Sequence, residues 1–131
     1  MKVEQYDIDL YNKAKENLKN SYCPFSKFHV SAMLVGKSGR VYSGVNIENS
    51  SFGGTICAER TAMVKAISEG EREFDRIVIA TAKQDGWPCG ICRQFMYEFA
   101  PDLKVVSGTD EEHLEAVPLR ELLPKGFRLE E

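Results

Sequence analysis

Three thiols and one carboxylate carry the most chemical information in this chain: those of Cys57-Ala58-Glu59 and of Pro88-Cys89-Gly90-Ile91-Cys92. Thiolates are soft ligands suited to zinc, and three of them around a tetrahedral ion leave one position open, as catalytic sites require. Cys89 and Cys92 stand three apart, so on a helix both sulfurs project from one face. In a first helical turn the positive helix end favours thiolate over thiol. Cys57 and Glu59 stand two apart, about 200° around a regular helix. They converge only if a helix begins within a residue of Cys57. The spacing therefore predicts two helix starts meeting at one point, with Glu59 as a proton carrier beside the metal. Three thiolates bring Zn²⁺ to a formal −1, and Arg60 and Arg93, each next to a motif residue, are candidates for hydrogen bonds to sulfur.

Bringing together groups from two distant stretches calls for a sheet with helices on it, and the rest of the chain has that pattern. Asp7 can cap a first helix, on which Leu10, Tyr11, Ala14 and Leu18 form one apolar stripe. Val30, Ala32 and Leu34 alternate with Ser31, Met33 and Val35 along a strand. A glycine turn over 36–39 and a second strand over 40–47 complete an antiparallel hairpin. A helix over 57–69 stops at Gly70, its Ala58, Ala62 and Ala66 small enough for close approach to a sheet. Within 74–82, Ile77-Val78-Ile79-Ala80 reads as a strand buried on both faces. Pro88 opens the next helix, with Ile91, Phe95 and Phe99 as its core stripe. The strand over 103–107 closes a βαβ unit and runs parallel to its predecessor, and the strand over 113–117 returns antiparallel across a short turn. Pro118 starts a short helix through Leu123. The expected fold is α/β: one domain over 1–131, three layers α/β/α, with a five-stranded mixed sheet whose last two strands are antiparallel.

Composition removes whole classes of function. A formal net charge of −3 leaves no basic footprint for nucleic acid. No apolar run approaches the roughly 18 residues of a membrane span, and the first residues are acidic where a signal peptide is hydrophobic. With 43% apolar residues against 28% charged, the chain has the means to fold. A cytoplasmic protein acting on a small molecule is the expectation. There, four cysteines point to metal or redox chemistry more than to a disulfide framework, and Cys23 reads as a packing thiol.

Two rival readings compete for the motif residues. Trp87-Pro88-Cys89-Gly90-Ile91-Cys92 resembles a thioredoxin-type redox site between a strand and a helix, but that use leaves Cys57 and Glu59 unexplained. A structural zinc module needs a fourth protein ligand, and His29 and His113 are isolated. Asn46 and Glu48 are a polar strand end that suits either solvent or a sugar diol.

The whole constellation of C-x-E followed by P-C-x-x-C fits the zinc deaminase signature with three cysteines as ligands. At these residues, and over 21–28, 46–49 and 121–127, the chain resembles the cytidine deaminases of the small homotetrameric type. The resemblance implies one Zn²⁺ per chain and hydrolysis of cytidine, with deoxycytidine as a second substrate, to the uracil nucleoside and ammonia. Glu59 would carry protons from the attacking water to the ring nitrogen and the departing amine. It also implies that Phe28 packs on the base, Asn46 and Glu48 bind the ribose hydroxyls, and the backbone amide of Ala58 meets the pyrimidine carbonyl. Phe127 would reach a neighbouring subunit's pocket in a homotetramer. Blasticidin S is the alternative substrate. Departures from the family pattern fall at Phe25, His29 and Ser31, none of them at the metal motif.

Overall fold

The computed structural model describes residues 1–129, so the expected domain over 1–131 extends two residues beyond it. Strands β1 (Val30–Gly36) and β2 (Val41–Val45) form the antiparallel hairpin. Gly39 takes the left-handed turn position at φ 92°, which a residue with a Cβ rarely adopts. β1 pairs on its other edge with β3 (Phe74–Thr81), again antiparallel. β3 runs parallel to β4 (Lys104–Gly108), and β4 antiparallel to β5 (Leu114–Pro118), so the sheet order is β2-β1-β3-β4-β5. The mixed sheet and its antiparallel last pair match the expectation. Strand ends differ from it by a residue or two, as the hydrogen-bond ladders decide them.

Side chains alternate between two cores, as the pleat requires. On one face, Leu10, Tyr11 and Ala14 of α1 (Gln5–Asn17) pack with Met33, Val35, Val78, Ala80 and Val106. On the other, α2 (Ala58–Ser68), α3 (Gly90–Tyr97) and α4 (Leu119–Leu122) cover Ala32, Leu34, Ile77, Ile79 and Val105. Leu18, expected in the α1 stripe, falls in a 3₁₀ turn after the helix and is only half-buried.

Small residues let α2 approach its neighbours. Ala58, Ala62 and Ala66 are fully buried, and a Cβ added at Gly44 of β2 would lie 2.5 Å from the Ala62 nitrogen. The helix backbone thus rests on the glycine, which fixes how far its first turn sits from the strand. Gly44→Ala is expected to cost about 2 kcal/mol through overpacking and to move the start of α2. Urea unfolding would measure the first effect and zinc content the second.

Two expectations are corrected. Asp7 does not cap α1. Glu4 is the N-cap, and Asp7 is the third helical residue, its carboxylate accepting from the Glu4 amide at 2.8 Å in a capping box. Nor is the inner face of α3 the expected stripe, of which Phe95 and Phe99 pack half-buried at the edge of the core and Ile91 does not. Cys92, Met96 and Tyr97 are buried there, while Ile91 is 65% exposed. Pro88 lies before the helix, whose N-cap is Cys89.

Asp7 has a second task. Its carboxylate lies 2.8 Å from Arg76 Nη1 and 2.7 Å from Lys104 Nζ, on adjacent strands, and Glu4 contacts the same two cations. This buried cluster pins the start of α1 to the sheet. Burial works to raise the Asp7 carboxyl, but the Lys104, Glu4-amide and Arg76 hydrogen bonds win and hold it below its ordinary 3.8. A carboxyl depressed on folding contributes stability above its unfolded pKa and loses it as pH falls through the folded value. Stability should therefore fall away below about pH 4, and Asp7→Asn should flatten that acid limb while lowering stability at pH 7. Urea midpoints at pH 3 and pH 7 measure both.

Candidate active site

The site is assembled from loops tied to one another by backbone pairing. Tyr22 and Ile47 form a parallel bridge, and Ile47 and Ile56 an antiparallel one. The Tyr22 amide donates to the Asn46 carbonyl at 2.9 Å, and the Glu48 amide to the Tyr22 carbonyl at 2.8 Å. Ile47 and Ile56 exchange two bonds of 2.9 and 3.0 Å. The residue after Ile56 is Cys57, so this pairing delivers the first thiol and the start of α2 beside the strand end carrying Asn46 and Glu48.

Cys57 is the N-cap of α2 and Cys89 the N-cap of α3. Both backbones are extended, at φ −76° and −68°, before the helices begin. This is the irregular start that the Cys57–Glu59 spacing calls for. The sulfurs of Cys57, Cys89 and Cys92 all lie within 4.8 Å of one another, with Cys57 and Cys89 3.9 Å apart. Arg60 Nη2 donates to Cys57 Sγ at 3.5 Å. The neighbouring Cys92 thiol and the Arg60 cation hold the Cys57 thiol below its ordinary range against the opposing effect of burial, while Cys92, buried beside the Cys57 and Glu59 charges, is raised. Three converging thiols with a charge-assisted donor on one and helix N-termini behind two fit a tetrahedral zinc ion with one open position. A redox pair made of Cys89 and Cys92 alone leaves the third sulfur of the cluster without a purpose.

Arg93 does not reach a sulfur, contrary to expectation. Its Nε donates to the Pro88 carbonyl at 2.7 Å and its Nη1 to the Leu122 carbonyl at 2.8 Å. Those two bonds brace the loop before Cys89 against α4, so its influence on the thiols passes through the backbone. His29 and His113 stand outside the thiol cluster; His29 Nδ1 meets Ser21 Oγ and the buried Cys23 sulfur, and His113 pairs with Asp110 at 2.8 Å. Cys23 is accordingly a packed thiol.

A cavity of about 240 Å³ opens beside the thiols. Phe28, Asn46, Glu48, Ala58, Glu59 and Trp87 contribute to its wall, together with Cys57 and Cys89. Glu59 is only 4% exposed; burial, reinforced by the Cys57 charge and opposed by Arg60, pushes its carboxyl up to about 7. A second cleft, lined by Lys37, Asp75, Asp102 and Lys104, lies at the starts of β3 and β4 and holds none of the motif residues.

The polar end of the cavity is braced before any ligand arrives. Asn46 Oδ1 accepts from the Val30 amide at 3.0 Å, and its Nδ2 donates to the Phe28 carbonyl at 2.7 Å. Each amide atom keeps one further hydrogen-bonding position. Glu48 accepts from the Phe25 and Ser26 amides at 3.0 and 3.1 Å and from Ser26 Oγ. The Ser26 hydroxyl, the strongest of these, holds the carboxyl below its ordinary range. β2 has ended at Val45, yet Asn46 and Glu48 share one cavity wall because the Ile47 bridges keep that segment extended. Phe127 stands apart from the cavity, 63% exposed and with its carbonyl accepting from Gln94 Nε2 at 3.1 Å.

The model of the cytidine and deoxycytidylate deaminase zinc-binding region matches residues 4–109. The chain belongs to this family. It is 44% identical over 124 residues to a cytidine deaminase of Halalkalibacterium halodurans, with 93% of this chain and 94% of the relative covered. It is 42% identical over 120 residues to a probable cytidine deaminase of Dictyostelium discoideum, with 90% and 81% covered. A solved cytidine deaminase from Burkholderia pseudomallei superposes at a TM-score of 0.85 and 38% identity, covering 91% of this chain and 97% of that one. The thiol cluster of this deaminase lies inside the matched zinc-binding region and is positioned to bind a metal ion. Trp87 and Gly86 of the cavity wall escaped the sequence reading, since Trp87 there registered only as part of a redox-like hexad.

Proposed function

We propose that this chain hydrolyses cytidine and deoxycytidine to the uracil nucleoside and ammonia. The observation that carries the reading is the buried Glu59 carboxyl sharing one cavity with the thiols and with Asn46 and Glu48. Cys57, Cys89 and Cys92 would hold one zinc ion per chain. So held, zinc supplies the Lewis acidity that makes water a nucleophile near neutral pH.

The chain's own residues do the rest. Glu59 takes a proton from the attacking water as its oxygen bonds to C4, and gives a proton to ring N3. It then takes the proton of the new C4 hydroxyl and delivers it to the C4 amine; the C4 carbonyl forms as the C4–N bond breaks, and ammonia departs. The Ala58 amide, in the first turn of α2 where no helical acceptor exists, donates to the pyrimidine carbonyl. Phe28 stacks on the ring. Asn46 and Glu48 use their remaining hydrogen-bonding positions on the sugar hydroxyls. Arg60 holds the Cys57 sulfur, and Arg93 holds the loop that presents Cys89.

Residues 1–131 act as one catalytic domain in this reading, and the active unit is a homotetramer. Exposed Phe52 (76%), Ile91 (65%) and Phe127 (63%) favour such an assembly, with Phe127 reaching a neighbour's cavity. Thiols that must stay reduced to hold metal favour the cytoplasm, and the formal charge of −3 disfavours a nucleic-acid partner. Ultraviolet assays with cytidine, deoxycytidine, cytosine and blasticidin S side by side test the reading. Turnover of both nucleosides is expected, with cytosine slow because it lacks the hydroxyls that Asn46 and Glu48 grip. No turnover of either nucleoside overturns it, and preference for blasticidin S transfers the assignment to that substrate.

A further inference from the structure

We propose that the Trp87 indole is the specificity wall facing C5 of the pyrimidine, so that this enzyme discriminates against cytosine nucleosides substituted at C5. The inference rests on the cytidine reading, because that reading fixes how the ring lies. C4 must meet the thiol cluster, where the starts of α2 and α3 come together. N1, opposite C4 across the ring, carries the sugar toward Asn46 and Glu48. N3, on one side of C4, must face Glu59 on α2 to exchange a proton. C5 lies on the other side of C4 and is therefore turned toward the segment entering α3. The cavity residues of that segment are Gly86, Trp87 and Cys89.

The wall is built to stay in place. Gly86 is held through both its backbone groups: its amide donates to Ser107 Oγ at 3.3 Å, and its carbonyl accepts from the same hydroxyl at 3.2 Å. Ser107 is itself fully buried in β4. A Cβ at Gly86 would lie 2.5 Å from Thr81 Cγ2 and 3.8 Å from Phe28 Cζ, so the backbone is wedged between β3 and the aromatic floor of the cavity. On the other side, buried Pro88 is tied to Arg93. Trp87, packed against the core between two anchored neighbours, has little freedom to retreat from a bulky substituent. A site closed by a fixed side chain discriminates roughly 10- to 200-fold per extra methyl-sized group.

Trp87 is the chain's single tryptophan, which provides a readout independent of turnover. Uridine added to the zinc-loaded protein should change its tryptophan emission, and 5-iodouridine should bind at least about tenfold more weakly. In kinetics, the ratio of kcat/KM for 5-methylcytidine to that for cytidine should be low in the wild type. It should rise at least about tenfold in Trp87→Ala, with Trp87→Phe between the two. The phenylalanine variant keeps the test open if the alanine variant folds poorly. A ratio that stays constant while both substrates slow together would show Trp87 to be packing alone, as would equal binding of uridine and 5-iodouridine. Normal cytidine turnover alongside either result overturns the C5 wall and leaves the deaminase reading standing. Absence of cytidine turnover in the wild type overturns both.

Discussion

Glu59→Gln is expected to retain zinc and fold and to lose at least about 10²- to 10⁴-fold in kcat, the range for removing a positioned proton carrier. The substitution keeps the shape of a side chain that is 4% exposed, so no cavity opens and α2 keeps its packing. Glutamine still accepts and donates hydrogen bonds but cannot accept a proton from water or deliver one to N3 and the amine. A carboxylate pays for burial in desolvation that a neutral amide largely avoids, so the variant should melt no lower than the wild type. Cysteine ligation is untouched, so metal analysis should still find one zinc per chain. Three measurements on one preparation therefore separate the proton carrier from a structural residue: zinc content, thermal midpoint and single-turnover rate. A variant that keeps all three near wild type removes Glu59 from the chemistry.

The sequence made the metal motif legible because its spacing has few geometric solutions. Cys57 and Glu59 converge only across a helix start, and Cys57 is in fact an N-cap. The pleat likewise fixed the two faces of β1, since Ala32 and Leu34 lie in one core and Met33 and Val35 in the other. Periodicity failed in α3 for a physical reason. Once Cys89 and Cys92 must point to the thiol cluster, the rotation of the helix is set, and Met96 one turn beyond Cys92 goes inward whatever Ile91 would prefer. Asp7 misled because it sits inside a capping box started by Glu4 and because its ion pairs are with Arg76 and Lys104, about 70 and 100 positions away. Arg93 misled because successive residues of a helix point about 100° apart, so with Cys92 aimed at the cluster its guanidinium turns toward Pro88 and Leu122. Gly86 and Trp87 were invisible because a loop's place in a cavity wall is fixed by its anchor, here Ser107 on another strand.

Cys57→Ala should lose zinc and also destabilise the protein more than Cys89→Ala does. Either change leaves two thiols, too few to retain one zinc per chain through purification, so both should abolish deamination. Metal bound only to the folded chain adds its binding free energy to stability, so both variants should also lose the midpoint increment that chelation removes from the wild type. The difference lies in Arg60. Its guanidinium is half-buried, its Nε lacks a hydrogen-bond partner among the described residues, and its Nη2 donates to the Cys57 sulfur. Removing that sulfur costs the guanidinium its hydrogen bond there and leaves it only the Cys92 sulfur, at a cost of about 1–3 kcal/mol. Cys89 is exposed, and its loss deprives Arg60 of no hydrogen bond in the structure. Cys89→Ala should therefore melt with the chelated wild type and Cys57→Ala below it, while Arg60→Gln should lower activity more than zinc content. Adding Arg60→Gln to Cys57→Ala removes the Arg60 cation and should recover part of the lost midpoint, a coupling that a double-mutant cycle reads directly. Equal midpoints for the two cysteine variants would dismiss the Arg60–sulfur bond as a stabilising contact, and zinc retained at one per chain in either would dismiss the three-thiol ligand set.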